Sequence, residues 1–86
     1  LMSSFDEIFK NEQAALAKLS QAQSTKDLYD VKVEFLDKNG SFSGLMKHMK
    51  DLSAEEKPKF GQKVNEAKTR LEEAFTAQNQ KLAQEE

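Results

Sequence analysis

Phe60, Val64, Ala67, Leu71, Ala74, Gln78 and Leu82 recur at alternating steps of four and three. That is a heptad seam held for about three repeats, the signature of a long helix with one narrow apolar stripe. Ser53-Ala-Glu-Glu56 reads as a capping box that opens it. A helix from Ala54 to Ala83 spans about 45 Å at 1.5 Å per residue. Pro58 falls just past the first turn, so a kinked or irregular start is expected. Such a helix needs an apolar partner of similar length. Ser4 to Lys38 has that length and is expected to run the other way. The chain has 86 residues, a third of them charged and only 37% hydrophobic. A single domain of residues 1–86 is expected, too small for a deep core, and long helices sharing a seam suit that composition. With three glycines and one proline, turns are few.

Upstream of the seam, Ser4 can cap a first helix, with Glu7 completing the box. Phe5, Ile8, Phe9, Leu16 and Leu19 follow helical spacing, which predicts a helix over 4–21. The pattern pauses at "QAQSTKD", where either Ser24 or Thr25 caps a second helix or one long helix kinks. The stretch "DVKVEFLDKNGSFSG" reads two ways. Tyr29, Val31, Val33 and Phe35 alternate as a strand would, and Asn39-Gly40 is a strong hairpin-turn signal. Leu28, Val31, Phe35 and Leu36 also share one helix face. A lone two-stranded hairpin is marginal in water, whereas a helix needs only a stop. Gly40 supplies one as a left-handed residue past the C-terminus. The helical reading is preferred, over 25–38. Phe42, Leu45, Met46, Met49 and Leu52 then predict a short helix over 41–50 that closes the tip. The expected fold is all-α: an antiparallel helical hairpin, a coiled-coil arm, with a short helix at its turn.

Net charge is −2, which by itself argues against nucleic acid, but the charge is sorted. Residues 1–37 hold four Lys against seven Asp/Glu, residues 38–70 hold eight Lys/Arg against four, and residues 71–86 hold one Lys against four Glu. In a hairpin the middle becomes the tip, so the fold is expected to be a rod with a positive end. Lys38, Lys47, Lys50, Lys57, Lys59, Lys63, Lys68 and Arg70 are the candidate nucleic-acid-binding residues. They read equally well as solubilising charge. The phenylalanines mostly fall on apolar seams, so any RNA contact is expected through shape and backbone. The narrow seam of Phe60, Val64 and Leu71 predicts weak self-association.

No catalytic constellation stands out. His48 is the single histidine, and as a general base it would need an oriented partner and a pocket, which a two-layer hairpin does not offer. Gly40, Gly44 and Gly61 are too scattered for a phosphate loop. The chain has no cysteine, and no run is long and apolar enough for a membrane span. A cytoplasmic location is expected. Leu1 ahead of Met2 reads as an added residue, with Met2 the native start.

Taken together, "VEFLDKNGSFSGLMKHMKDLSAEEKPKFGQKVNEAK" resembles the N-terminal coiled-coil domain of bacterial phenylalanyl-tRNA synthetase alpha subunits. That family runs aromatic-Leu-Gly-Lys-Lys-Gly, a short apolar helix, Leu-Pro/Ser-x-Glu-Glu-Arg/Lys-Pro, then Gly-x-x-x-Asn-x-x-Lys. Phe35-Leu36, Lys38 and Gly40 match the first part, and Leu45, Met46 and Leu52 the second. Ser53, Glu55, Glu56, Lys57 and Pro58 match the third, and Gly61, Asn65 and Lys68 the fourth. Asp37 and Asn39 depart from it, where glycine and lysine are usual. The resemblance implies a class II synthetase of two alpha and two beta subunits that joins phenylalanine to tRNA(Phe) with ATP and magnesium. It implies an arm that braces the tRNA elbow. The catalytic domain would lie further along the parent chain, with no catalytic residue among these 86. Within the Gly61-Asn65-Lys68 stripe, a structural role is expected for the first two and a contact role for Lys68. The competing reading is a structural or protein-interaction hairpin with no RNA partner.

Overall fold

A computed structural model describes residues 3–86; Leu1 and Met2, the expected added residue and native start, lie outside the described residues. The first helix, α1, runs Ser4–Gln21. Its capping box is set one residue earlier than the Ser4–Glu7 reading. The Asp6 N–H donates to Ser3 Oγ at 3.2 Å and the Ser3 N–H donates to Asp6 Oδ2 at 3.0 Å. A carboxylate three residues past the cap is all this motif needs, and Asp6 meets that need as Glu7 would. The pause at Gln21 is a true break. Ala22 is extended, and Ser24 caps α2, Thr25–Leu36, by accepting from the Asp27 N–H at 3.0 Å.

Helix α2 resolves the strand-or-helix ambiguity in favour of helix, and no strand occurs among the described residues. It stops two residues before Lys38, with Asp37 extended at ψ 165°. The expected left-handed glycine is absent: Gly40 has φ −82°. Its N–H donates to the Asp37 carbonyl at 2.8 Å, and it serves as the N-cap of α3, Ser41–Leu45. Glycine is required there for proximity, not handedness. A Cβ would lie 2.8 Å from the Phe35 carbonyl carbon and 2.9 Å from the Glu34 and Phe35 carbonyl oxygens.

The short helix expected over 41–50 is two pieces. After α3 the chain tightens into a 3₁₀ segment, Met46–Asp51. At three residues per turn, Met49 and Leu52 fall on one line and both pack on the core. Ser53 and Glu56 then form the expected box, with N–H to Oε1 at 3.0 Å and N–H to Oγ at 3.2 Å. Helix α4 runs Glu56–Glu85, two residues later than expected at each end. Its late start follows from Pro58, which has no N–H to give the Ala54 carbonyl.

Helices α2 and α4 are the two antiparallel arms of the hairpin, with α3 and the 3₁₀ segment at its turn. At the open end, the Thr25 N–H donates to Glu86 Oε2 at 2.8 Å and the Thr25 hydroxyl to Oε1 at 3.0 Å. The first arm is α2 alone, not the whole stretch from Ser4. Helix α1 folds back along the pair as a third layer, antiparallel to α2 and parallel to α4. Phe5 meets Phe60 edge-on at 5.4 Å, and Glu12 meets Arg70. Lys18 and Glu34 join α1 to α2 at 2.8 Å. The reason is apolar surface: α1 brings Ile8, Ala15 and Leu19 to one buried cluster with Leu28, Phe35, Phe42 and the α4 seam. Within that seam Phe75 is buried, as its widening of the stripe beside Ala74 leads one to expect, and Ala74 packs partly buried against the core. The result is a rod of 48 × 21 × 19 Å. Phe60, Val64 and Leu71 are 0%, 3% and 0% exposed, so the seam that motivated self-association is covered within one chain.

Candidate nucleic-acid interface

The hairpin turn gathers five of the eight candidate basic residues at one end of the rod. Lys38 follows α2, Lys47 and Lys50 sit on the 3₁₀ segment, and Lys57 and Lys59 open α4; all five are exposed. Among the described residues none of these five has a carboxylate within 4 Å. Asp37, Asp51, Glu55 and Glu56 lie at the same end, so residues 37–59 carry five Lys against four Asp/Glu, and the tip presents unpaired lysines with a small net positive charge. His48 lies in the same region, half-buried and edge-on to Phe60 at 6.4 Å.

The remaining three are set back from the tip. Arg70 lies fourteen residues along α4 from Glu56, roughly 21 Å of helix. Lys59, Lys63, Glu66 and Arg70 fall at i, i+4, i+7 and i+11, a single stripe on α4. The ion pair from Arg70 to Glu12 turns that stripe towards α1. Arg70 donates through Nε at 2.6 Å and Nη2 at 2.8 Å to the two Glu12 oxygens. Glu12 is a buried carboxylate on a face otherwise made of Ile8, Ala15 and Leu19, and α4 supplies the cation it needs. The hydrogen bonds it donates to Glu12 hold the Arg70 guanidinium above its ordinary pKa, against the desolvation that pulls it down. Lys63 is held only loosely, 3.8 Å from Glu66. Lys57 and Lys68 lie on the other flank of α4, and Lys68 is half-buried without an ion partner among the described residues.

The structural roles expected for Gly61 and Asn65 are not what the fold uses. A Cβ at Gly61 would meet nothing within 4 Å. Asn65 points away from the seam, exposed, and its side chain makes no hydrogen bond among the described residues. Sequence reasoning also missed two exposed aromatics, Phe9 and Tyr29. Phe9 follows Phe5 at i+4, which reads as seam until the third helix fixes which stripe faces inward.

Charge along α4 is sorted too. Residues 56–70 hold five Lys/Arg against two Glu, and residues 71–86 hold one Lys against four Glu. The helix dipole favours Glu56 at the start but not Glu85 in a last turn that lacks any base, so the dipole does not account for the sorting.

Residues 23–86 match the family described as aminoacyl tRNA synthetase class II, N-terminal domain. The chain belongs to this family. Its relatives are phenylalanine–tRNA ligase alpha subunits. That of Staphylococcus carnosus is 58% identical over 71 residues, 83% of this chain and 20% of the relative. That of Staphylococcus saprophyticus is 49% identical over 75 residues, 87% of this chain and 21% of the relative. That of Staphylococcus haemolyticus is 44% identical over 84 residues, 98% of this chain and 24% of the relative. The chain therefore spans between a fifth and a quarter of the length of these synthetase subunits. No solved structure matches this synthetase N-terminal domain. Among its described residues no helix is long and apolar enough to cross a membrane, and no group of three His, Cys, Asp or Glu converges as metal ligands would.

Proposed function

We propose that this domain is the tRNA-binding arm of a phenylalanine–tRNA ligase, bracing the elbow of tRNA(Phe) through its basic tip. The observation that carries the reading is the set Lys38, Lys47, Lys50, Lys57 and Lys59, exposed and unpaired among the described residues, at one end of a rod 48 Å long. Lys63 and Lys68 extend the surface along α4. Contacts go mainly to phosphate and sugar, which lysines on a convex tip reach without entering a groove. A rigid rod suits this role because it holds its charges at a fixed distance from whatever carries its base.

The parent enzyme attaches phenylalanine to tRNA with ATP and magnesium, working with a beta subunit. No step of that chemistry is placed on the residues described here, and their carboxylates stand apart along helix faces. Self-association through the α4 seam is not part of the proposal, because α1 covers it.

Charge reversal at Lys47 and Lys50 in the longer synthetase that carries this arm tests the reading. The KM for tRNA rises, while activation of phenylalanine by ATP is unchanged. A KM for tRNA equal to the wild type would make the tip solvated charge and the arm a purely structural or protein-binding element.

A further inference from the structure

Between α1 and α4 lies a groove of about 230 Å³, lined by Phe5, Ile8, Phe9, Glu12, Lys63 and Arg70. We propose that this groove is a stacking site for one unpaired RNA base, with Phe9 as the platform and Lys63 and Arg70 as the phosphate contacts. The inference rests on the reading of the arm as tRNA-binding and adds a base contact to a surface otherwise read as backbone-directed.

Three observations converge. Phe9 is 66% exposed, although Ile8 beside it and Glu12 one turn on are buried. A single exposed apolar side chain needs no account by itself. This one stands at the rim of a groove whose facing wall carries two cations. Second, Glu12 aims Arg70. The pair uses Nε and Nη2, which leaves the Nη1 donors of the guanidinium free while its plane is held in place. The arginine side chain remains 56% exposed. Third, Lys59, Lys63 and Arg70 form one stripe, so the groove continues the basic tip instead of standing apart from it. Two carboxylates temper the local field. Glu12 has both oxygens engaged by Arg70, and Glu66 lies 3.8 Å from Lys63.

This arrangement fits a nucleotide better than a protein helix. Proteins take up unpaired RNA bases by pairing an aromatic ring with nearby cations, the ring taking the base and the cations its phosphates. An amphipathic helix needs a trough that holds anchors at i, i+3 or i+4 and i+7. Among the described residues Phe9 is the one large apolar side chain lining this groove that is exposed. Tyr29, Val33 and Met46, the other exposed large apolar residues among those described, lie on other elements.

The test uses the 86-residue chain and two probes: a short single-stranded RNA carrying one 2-aminopurine, and a blunt RNA duplex with the same number of phosphates. Affinity is measured against salt. Phe9→Leu lowers affinity for the single strand roughly tenfold, the scale of one base–aromatic stack. It leaves duplex affinity and the salt slope unchanged, since no charge is removed. Lys63→Gln weakens both probes and reduces the slope by about one. The 2-aminopurine fluorescence is quenched by the wild type and not by Phe9→Leu. Thermal melting of Phe9→Leu, unchanged because the ring is exposed, shows that the fold is intact. The proposal is overturned if Phe9→Leu binds both probes as tightly as the wild type, or weakens both equally. It is also overturned if the variant loses an acidic amphipathic peptide while keeping RNA, which would assign the groove to a protein. Charge reversal at Lys47 and Lys50 separates the two readings. If reversal weakens tRNA binding and Phe9→Leu does not, the stacking site falls and the arm's role stands. If neither has an effect, both fall.

Discussion

At the scale of single residues, two positions carry more of the fold than their type suggests. Gly40 sits against the carbonyls of Glu34 and Phe35 with no room for a Cβ. Gly40→Ala must push backbone against backbone, at a cost of about 1–3 kcal/mol. For a domain of this size that lowers the melting temperature by roughly 4–8 °C per kcal/mol, read by circular dichroism. Gly44→Ala, inside α3 and meeting nothing within 4 Å, serves as the control, with no loss of stability expected. The second position is Glu12. Arg70→Met strands its buried carboxylate, and the melting temperature falls by several degrees. Glu12→Leu in the same chain removes the stranded charge and recovers most of the loss, because an apolar side chain is at home between Ile8 and Ala15. If the double variant is no better than Arg70→Met alone, the pair is not what couples α1 to α4. Neither feature was legible in the sequence. Gly40 announced a turn, but the close approach of Phe35 depends on how α2 ends. Glu12 and Arg70 are fifty-eight residues apart, and no local pattern joins them.

At the scale of helices, what could be read was what is periodic. The Phe60-to-Leu82 spacing gave α4, and the Ser53–Glu56 box gave its start to within the two residues that Pro58 displaces. The same periodicity could not distinguish one kinked helix from two, because either keeps the same residues on the inward face. The break at Ala22 decides it, and with it the direction of α1. The basic tip was legible as a segment charge, since charge sums need no geometry. Its division into exposed tip lysines and a stripe turned towards α1 was not, because that requires knowing which flank of α4 the third helix covers. Gly61 offers a test at this scale. It sits in mid-helix with open space around it, where glycine costs about 0.5–1 kcal/mol relative to alanine. Gly61→Ala therefore raises the melting temperature by a few degrees. If a phosphate or sugar of tRNA approaches closely there, the same variant weakens tRNA binding, a combination that purely structural glycines do not show. A lower melting temperature would mean that the glycine is needed by the fold.

At the scale of the molecule, the three long helices α1, α2 and α4 make a rod that is basic towards the hairpin turn and acidic at the other end. The shape follows from burying a narrow seam on both flanks with α1 and α2. The charge follows from where the hairpin turns. If the tip engages several phosphates, the affinity of the 86-residue chain for tRNA falls steeply and linearly on a logarithmic salt scale, by about 0.7–0.9 per phosphate. The most direct measurement of the central claim is a nuclear magnetic resonance titration of the isotope-labelled chain with tRNA(Phe). Shift changes are expected at Lys38, in the Met46–Asp51 segment and over Lys57–Lys63, joined by Phe9 and Arg70 where the groove takes up a base, with Glu72–Glu86 unmoved. Changes centred on the acidic end, or none at all at concentrations that saturate the parent enzyme, would contradict it.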